Sequence, residues 1–96
     1  MTARIFSDDD TGYREWLISH PDGYVVNARK AEGPAYLVLH RARCVTISRA
    51  SAPPGNWTHR GYKKVCATDL NALRAYVQAQ GRSDGSFSNE CGFCTR

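Results

Sequence analysis

Several kinds of segment are absent from this sequence. No apolar run in its 96 residues approaches the roughly 20 residues that a membrane-spanning helix needs, so we expect no membrane partner. Low-complexity tracts and internal repeats are also missing. Residues 1–6 are followed, after Ser7, by three consecutive aspartates, leaving no apolar stretch of the kind that a secretory signal requires. We therefore expect a cytoplasmic protein.

Recognisable catalytic signatures are missing as well. The sequence contains no Gly-rich phosphate loop and no nuclease pattern of convergent His and Asp residues. Its histidines, His20, His40 and His59, fall on a predicted helix end, a strand and a loop. We therefore expect a protein that is not an enzyme, and keep a small nuclease centred on His59 and Arg60 as the less favoured alternative.

The composition is that of a folded protein. Hydrophobic residues make up 42% and charged residues 23% of the chain, a balance typical of globular domains. A chain this short buries only about two-thirds of its unfolded surface and has no material for a second core. Residues 1–96 are therefore expected to form a single domain.

The periodicity of apolar residues predicts two helices. The first begins after a cap at Asp10 or Thr11 and ends before Pro21. The second covers residues 68–80, starts with a threonine cap and ends at Gly81.

Between the helices the sequence predicts strands. Residues 23–29 and 35–40 are rich in β-branched and aromatic residues and are separated by a turn, which favours a hairpin. Residues 44–48 are expected to continue this sheet or to form a third strand, and residues 62–66 a last, short one. The predicted fold is α+β, a small antiparallel sheet of three to four strands with two helices.

The last fifteen residues have no apolar periodicity. Residues 82–96 are rich in Gly, Ser, Asp and Asn, so we expect something other than packing to hold this segment. It carries the motif Cys91-x-x-Cys94, in which two thiolates three residues apart form half of a zinc site. The carboxyl-terminal region is therefore expected to be stabilised by zinc.

The other half of this zinc site has three candidates, His40, Cys44 and Cys66. His40 and Cys44 are four residues apart, and a bulge or turn would allow them to converge. Cys66 precedes the second helix, whose dipole would favour a thiolate. The preferred ligand set is His40, Cys44, Cys91 and Cys94, with Cys66 as the alternative to His40. Four protein ligands leave no open position, so the Zn²⁺ would be structural.

Other interpretations of the same residues remain open. The four cysteines could form two disulfides, although a chain without a secretion signal and with a hydrophobic core needs no such framework. A redox Cys-x-x-Cys normally precedes a helix, whereas Cys94 is followed by only two residues. A cysteine or histidine within a strand is also more often a buried core residue than a ligand.

Positive charge is concentrated in the middle of the chain. Residues 21–66 contain eight Lys or Arg residues and two acidic residues, within a net charge of +4 for the whole chain. Cations beside aromatic rings are the combination that nucleic-acid binding needs. The candidate nucleic-acid-binding residues are Arg41, Arg43, Arg49, Trp57, His59, Arg60, Tyr62, Lys63 and Lys64. The alternative is that Trp57 and Tyr62 pack onto the sheet, leaving ordinary solvated charges.

The sequence also resembles known families of zinc domains. The run His40-Arg41-Ala42-Arg43-Cys44, followed by Cys91-Gly92-Phe93-Cys94, resembles the His-x-x-x-Cys and Cys-x-x-Cys pattern of small Ada-like zinc-binding domains. The gap between the two motifs is longer here and contains Cys66. The whole chain is similar to small uncharacterised bacterial domains associated with restriction-type nucleases. These resemblances imply a DNA-handling module that works with a nuclease domain or subunit.

Taken with the charge pattern, this predicts a non-catalytic, zinc-stabilised module that binds nucleic acid, with DNA as the expected partner. It would act as a targeting domain of a restriction or repair system. The alternative, from another class of function, is a protein-interaction or accessory subunit whose basic face docks on an acidic partner.

Overall fold

Two helices and a five-stranded mixed sheet form this domain in a computed structural model that describes residues 3–48, 57–59 and 61–91. The regular elements within these segments are β1 (Arg4–Phe6), α1 (Asp10–Ser19), β2 (Tyr24–Arg29), β3 (Leu37–Arg41), a 3₁₀ turn (Val45–Ile47), β4 (Tyr62–Ala67), α2 (Leu70–Ala79) and β5 (Asn89–Glu90). The predicted α+β class and both predicted helices are confirmed.

The strand order in the sheet is β1-β4-β2-β3-β5. β2 lies at the centre and pairs antiparallel with β3 and β4, which confirms the predicted hairpin. β4 also pairs antiparallel with β1, whereas β5 pairs parallel with β3. The predicted number of three to four strands is therefore slightly too low, and the predicted antiparallel pairing holds for every strand pair except β3–β5. β1 has three residues and β5 two, too few to produce a periodic pattern.

The two faces of the sheet have separate hydrophobic clusters, as the alternation of side chains along a strand requires. One cluster forms between the sheet and α2, and is made of Val26, Ala28, Leu37, Leu39, Val65, Ala67, Leu73 and Val77. The other forms beneath α1, and is made of Phe6, Tyr13, Trp16, Leu17, Val25, Ala42, Cys44, Ile47, Trp57 and Cys66. The sheet is thus covered on both sides, by α1 and by α2.

Aspartates cap both helices, one position away from the residues that the sequence favoured. Asp9 rather than Asp10 or Thr11 caps α1, accepting a hydrogen bond from the Gly12 amide at 2.8 Å. Asp69 rather than the preceding threonine caps α2. In the described segments, neither helix has the length and apolar composition that crossing a membrane requires.

The segment 44–48 is not a strand, contrary to expectation. The Cys44 amide donates to the carbonyl of Arg41 at 3.0 Å, so the chain turns immediately after β3. The Ile47 amide then donates to the Cys44 carbonyl at 3.1 Å, within the 3₁₀ turn. The buried Tyr13 hydroxyl holds this turn by donating to the Ile47 carbonyl at 2.7 Å. Ile47 therefore packs into the cluster beneath α1 instead of lying in a strand.

Hydrogen bonds hold the described part of the carboxyl-terminal segment. The Arg82 guanidinium donates to the carbonyls of Ser86 at 2.7 Å, Pro34 at 3.0 Å and Phe87 at 3.3 Å. The Ser88 amide then donates to the Leu37 carbonyl at 2.9 Å, which begins the pairing with β3. Up to residue 91, these bonds act together with apolar packing, because Phe87 packs against the α2 cluster and Cys91 against the α1 cluster.

We predict that Arg82→Gln weakens the attachment of the segment that leads into β5. Loss of the guanidinium leaves the partly buried carbonyls of Ser86 and Phe87 and the exposed carbonyl of Pro34 without this donor, which should lower the free energy of unfolding by about 1–3 kcal/mol. Chemical denaturation measures this change. Amide hydrogen exchange at Ser88 and Cys91 should accelerate.

The matched control is Arg29→Gln, which removes the same charge from an exposed position on β2. Equal denaturation midpoints and equal exchange rates for the two variants would show that Arg82 does not hold this segment.

Candidate metal centre

Three side chains with metal-binding atoms meet at the edge of the sheet, on the face covered by α1. His40 lies near the end of β3, Cys44 follows the turn after β3, and Cys91 directly follows β5. One ligand atom from each lies within 4.8 Å of the other two, and the Cys44 and Cys91 sulfurs are 4.0 Å apart. Three of the four preferred metal ligands are therefore brought together.

Backbone hydrogen bonds position each ligand. The Cys91 amide donates to the Leu39 carbonyl at 2.9 Å, which extends the parallel pairing by one residue and places Cys91 beside His40. Cys44 is placed by the turn after β3, and its own carbonyl accepts from the Ser48 hydroxyl at 2.7 Å. The site is thus set by main-chain contacts before any metal enters.

The spacing of the donor atoms fits a tetrahedral metal ion. Two thiolates about 2.3 Å from a tetrahedral zinc are about 3.8 Å apart, close to the 4.0 Å between the two sulfurs. The Thr46 hydroxyl lies 2.9 Å from the Cys44 sulfur and is in a position to support it as an outer partner.

His40 has the properties of a ligand rather than of a hydrogen-bonded core histidine. Its side chain is 7% exposed, and its Nδ1 is buried without a hydrogen-bond partner in the described structure. Burial lowers the pKa of His40 to about 4, and the nearby Lys64 acts in the same direction. The imidazole is therefore neutral at pH 7, which is the form that binds metals.

Two candidate ligands remain, Cys94 and Cys66. Cys94 lies outside the described residues. Cys66 lies in β4, opposite Val25, which is itself opposite His40. Two strand spacings, about 10 Å, thus separate Cys66 from His40, and Cys66 is not part of the group of three.

The helix dipole does not activate Cys66, contrary to expectation. Cys66 is fully buried in the α1 cluster, and this burial raises the pKa of its thiol. Among the described cysteines, Cys44, Cys66 and Cys91 are all free thiols.

The candidate nucleic-acid-binding residues do not form one exposed face. Arg41, Arg43 and His59 are exposed, Tyr62 is half-buried, and Trp57, Lys63 and Lys64 are buried; Arg49 and Arg60 lie outside the described residues. Trp57 packs into the α1 cluster, as the alternative interpretation held. The buried members of this set contribute no exposed charge.

The two buried lysines have partners inside the protein. Lys64 donates to the Asn27 side chain and to the Trp57 carbonyl, both at 2.8 Å, on the face covered by α1. Lys63 points to the opposite face and donates to Glu32 at 2.8 Å. They are adjacent in sequence, so alternation along β4 sends them to opposite sides of the sheet.

His59 lies beside Asp8 and Asp10. Its Nδ1 is 3.4 Å from Asp8 and its Nε2 is 4.0 Å from Asp10. Asp10 also accepts from the Thr58 amide at 2.8 Å and from the Thr58 hydroxyl at 2.6 Å. Asp10 therefore fixes residues 57–59 to the start of α1.

A surface pocket of about 300 Å³ is lined by residues adjacent in sequence to His40 and Cys44, and sequence reasoning missed it. Its lining residues are Pro21, Asp22, Gly23, Tyr24, Arg41 and Arg43. Tyr24 and Arg41 are directly opposite each other in the β2–β3 hairpin. The predicted hairpin could have indicated this pair, because its register follows from the alignment of the two strands.

Comparison with known proteins identifies no relative: no protein-family model, no curated protein and no solved structure matches the chain.

We predict that the purified protein binds cobalt(II) as a tetrahedral thiolate complex in a ratio of about one to one. Cys44→Ser and Cys91→Ser should each weaken binding and reduce the sulfur-to-cobalt charge-transfer absorption. His40→Ala should weaken binding but leave the thiolate bands. Spectrophotometric titration measures all three effects.

Cys66→Ala is the control for this titration, because Cys66 is a buried cysteine outside the group. If this variant loses cobalt as completely as Cys44→Ser does, the assignment of ligands is wrong.

A second prediction concerns the pH dependence of stability. Burial lowers the pKa of Lys64 to about 8, whereas a lysine in an unfolded chain has a pKa of about 10.4. Between these values the unfolded chain holds a proton that the folded protein has released, so stability increases with pH. From pH 7.5 to 9.5, the wild-type unfolding free energy should rise by about 2 kcal/mol relative to that of Lys64→Met.

Lys63→Met is the matched control for this measurement. Burial alone would lower the pKa of Lys63, but the hydrogen bond to Glu32 raises this pKa above its usual value. Lys63 therefore stays protonated in both the folded and the unfolded state over this pH range. The difference in unfolding free energy between Lys63→Met and wild type should not change with pH over this range. Parallel curves for Lys64→Met and wild type would contradict the prediction.

Proposed function

We propose that this chain is a zinc-stabilised, non-catalytic domain that binds nucleic acid, and that the bound zinc fixes the turn presenting Arg41 and Arg43. One observation carries the proposal: His40 and Cys44, two members of the group that could hold a metal ion, flank residues 41–43, which lead from β3 through that turn. Coordination of both by one ion would restrict the three residues between them.

The chemistry of the donors supports zinc. Two thiols and an imidazole suit zinc, whereas magnesium and calcium prefer oxygen donors. The group contains no carboxylate. Cys94, three residues after Cys91, would complete a closed tetrahedral site of the structural kind.

The positions of the exposed arginines support a polyanionic partner. Arg41 and Arg43 both line the pocket beside Tyr24. Arg43 lies 3.2 Å from Asp22 in a highly exposed ion pair, and such pairs contribute little to stability. A phosphate could therefore replace the carboxylate at small cost, and a guanidinium binds phosphate through two parallel hydrogen bonds.

The resemblance to Ada-like zinc domains and to domains associated with restriction-type nucleases favours DNA as this polyanion. On that basis the domain would direct a nuclease domain or subunit to its site, within a restriction or repair system. Positioning DNA requires no catalytic group on this chain.

An accessory subunit is the second candidate, and an apolar groove favours it. The groove has a volume of about 290 Å³, and its lining includes Leu17, Ile18 and Pro21 together with Arg14 and Arg43. Ile18 is 81% exposed, an unusual position for a large apolar side chain. An acidic peptide with an apolar anchor residue would fit this combination.

Fluorescence anisotropy of labelled DNA at increasing salt tests the proposal. The zinc-loaded wild type should show a linear fall of log affinity with log salt concentration, as counterion release requires. Replacing both Arg41 and Arg43 by Gln should weaken binding and reduce that slope by about 2. Chelation of the zinc should also weaken DNA binding. Arg29→Gln, at the other end of β2, should weaken binding less than the double replacement of Arg41 and Arg43 and less than removal of the zinc.

The two candidate functions give different results in this experiment. Absence of salt-dependent binding to DNA, together with binding of an acidic, leucine-containing peptide that Ile18→Glu abolishes, would favour the accessory subunit. Salt-dependent binding that does not change in the Arg41 and Arg43 variant would place the nucleic-acid site elsewhere.

A further inference from the structure

The pocket that Arg41 and Arg43 line is built from the turn before β2, the start of β2, the end of β3 and the turn after β3. Tyr24 and Arg41 form its strand-borne part, as directly opposite residues of the hairpin. The Gly23 carbonyl accepts from the Ala42 amide at 2.9 Å, which joins the two turns. A Cβ at Gly23 would lie 2.6 Å from the Trp16 ring, so the chain here packs directly on the core. The base of the pocket is therefore well fixed.

The groups lining the pocket differ in chemistry and are complementary to the parts of one nucleotide. Two guanidiniums, from Arg41 and Arg43, are suited to a phosphate. The half-buried Tyr24 ring packs against the α2 cluster and also lines the pocket, which is suited to stacking by a base. The Asp22 carboxylate accepts hydrogen bonds, such as one from a cytosine amino group.

The size and shape of the pocket favour an unpaired nucleotide over a duplex. Readout of the major groove requires an element that protrudes into it, such as a helix or a two-stranded ribbon. A concave pocket of about 300 Å³ instead lies at the lower end of the range for small-molecule sites. A base enters such a pocket only after leaving the stack, or from a strand that is already single.

We propose that this pocket binds one unstacked nucleotide of single-stranded DNA, with its phosphate on Arg41 and Arg43 and its base against Tyr24 and Asp22. The inference rests on the proposed function and makes it more specific. The ligand class is single-stranded DNA, at an end, a gap or an unwound segment, and Asp22 favours a base that carries an amino group.

Anisotropy with two fluorescein-labelled probes tests this inference, using the zinc-loaded full chain at one salt concentration. The probes are a cytosine decamer and a hairpin duplex of ten base pairs. Wild type should bind the decamer about 10-fold more tightly than the duplex. Tyr24→Leu should lose about 5-fold to 100-fold in affinity for the decamer, and Tyr24→Phe, which keeps the ring, should retain wild-type affinity.

Asp22→Ala provides a second variant that does not depend on the packing of Tyr24, because Asp22 is exposed. Wild type should prefer the cytosine decamer to a thymine decamer by about 5-fold, as expected for one base-specific hydrogen bond. Asp22→Ala should abolish this preference. Zinc content and circular dichroism establish that each variant is folded, and Arg29→Gln controls for loss of charge.

The outcomes separate this inference from the proposed function. Tighter binding of the duplex, with the Arg41 and Arg43 dependence retained, would overturn the single-nucleotide pocket and leave nucleic-acid binding in place. Equal binding of the two decamers by wild type would overturn the role of Asp22. Failure to bind either probe at low salt would overturn the inference and the proposed function together.

Discussion

The parallel pairing of β5 with β3 is the constraint on which the candidate site depends. The Leu37 amide donates to the Ser88 hydroxyl at 2.7 Å, and the Cys91 amide donates to the Leu39 carbonyl at 2.9 Å. These bonds bring Cys91 next to residues about fifty positions earlier in the chain. Without them, His40 and Cys44 would be two isolated side chains at the end of a hairpin.

A metal ion at this site would reinforce contacts that already exist. The ligands come from β3, from the turn after it and from the end of β5, so one ion would join three segments of the chain. Much of the entropy of bringing these segments together has been lost in folding, because backbone bonds already hold them. Metal binding would then add its free energy to a formed structure and keep Arg41 and Arg43 in one arrangement.

Local patterns in the sequence were enough to predict the helices, the hairpin and three members of the metal-binding group. Helix periodicity and capping act over four residues, and the spacing of His40 and Cys44 is equally short. β5 could not be predicted in this way, because two residues carry no period and the contacts of the preceding loop, such as the hydrogen bond from Arg82 to the Ser86 carbonyl, are not visible in a local pattern. The conformation of residues 44–48 was wrongly predicted for a related reason. Their β-branched side chains are typical of a strand, but the hydrogen bond from Tyr13 on α1 to the Ile47 carbonyl stabilises a turn here.

The two lysines of β4 were expected to be exposed because they are charged, but both are buried. They are therefore not available to bind an external partner. Lys63 and Lys64 are adjacent in β4, so their side chains point to opposite faces of the sheet. Both faces are covered, and both side chains are therefore buried. Their partners, Glu32 and Asn27, come from distant parts of the chain, which no local pattern reveals.

Part of the positive charge in the middle of the chain therefore stabilises the interior or is paired at the surface. Lys30 is bound to Asp8, and the Arg29 guanidinium lies over the rings of Tyr36 and Tyr62. Among the described basic residues of this segment, Arg41 and Arg43 are the pair that line a common pocket. Because these two residues lie between His40 and Cys44, an ion held by that pair would make metal binding and presentation of positive charge properties of the same five-residue segment.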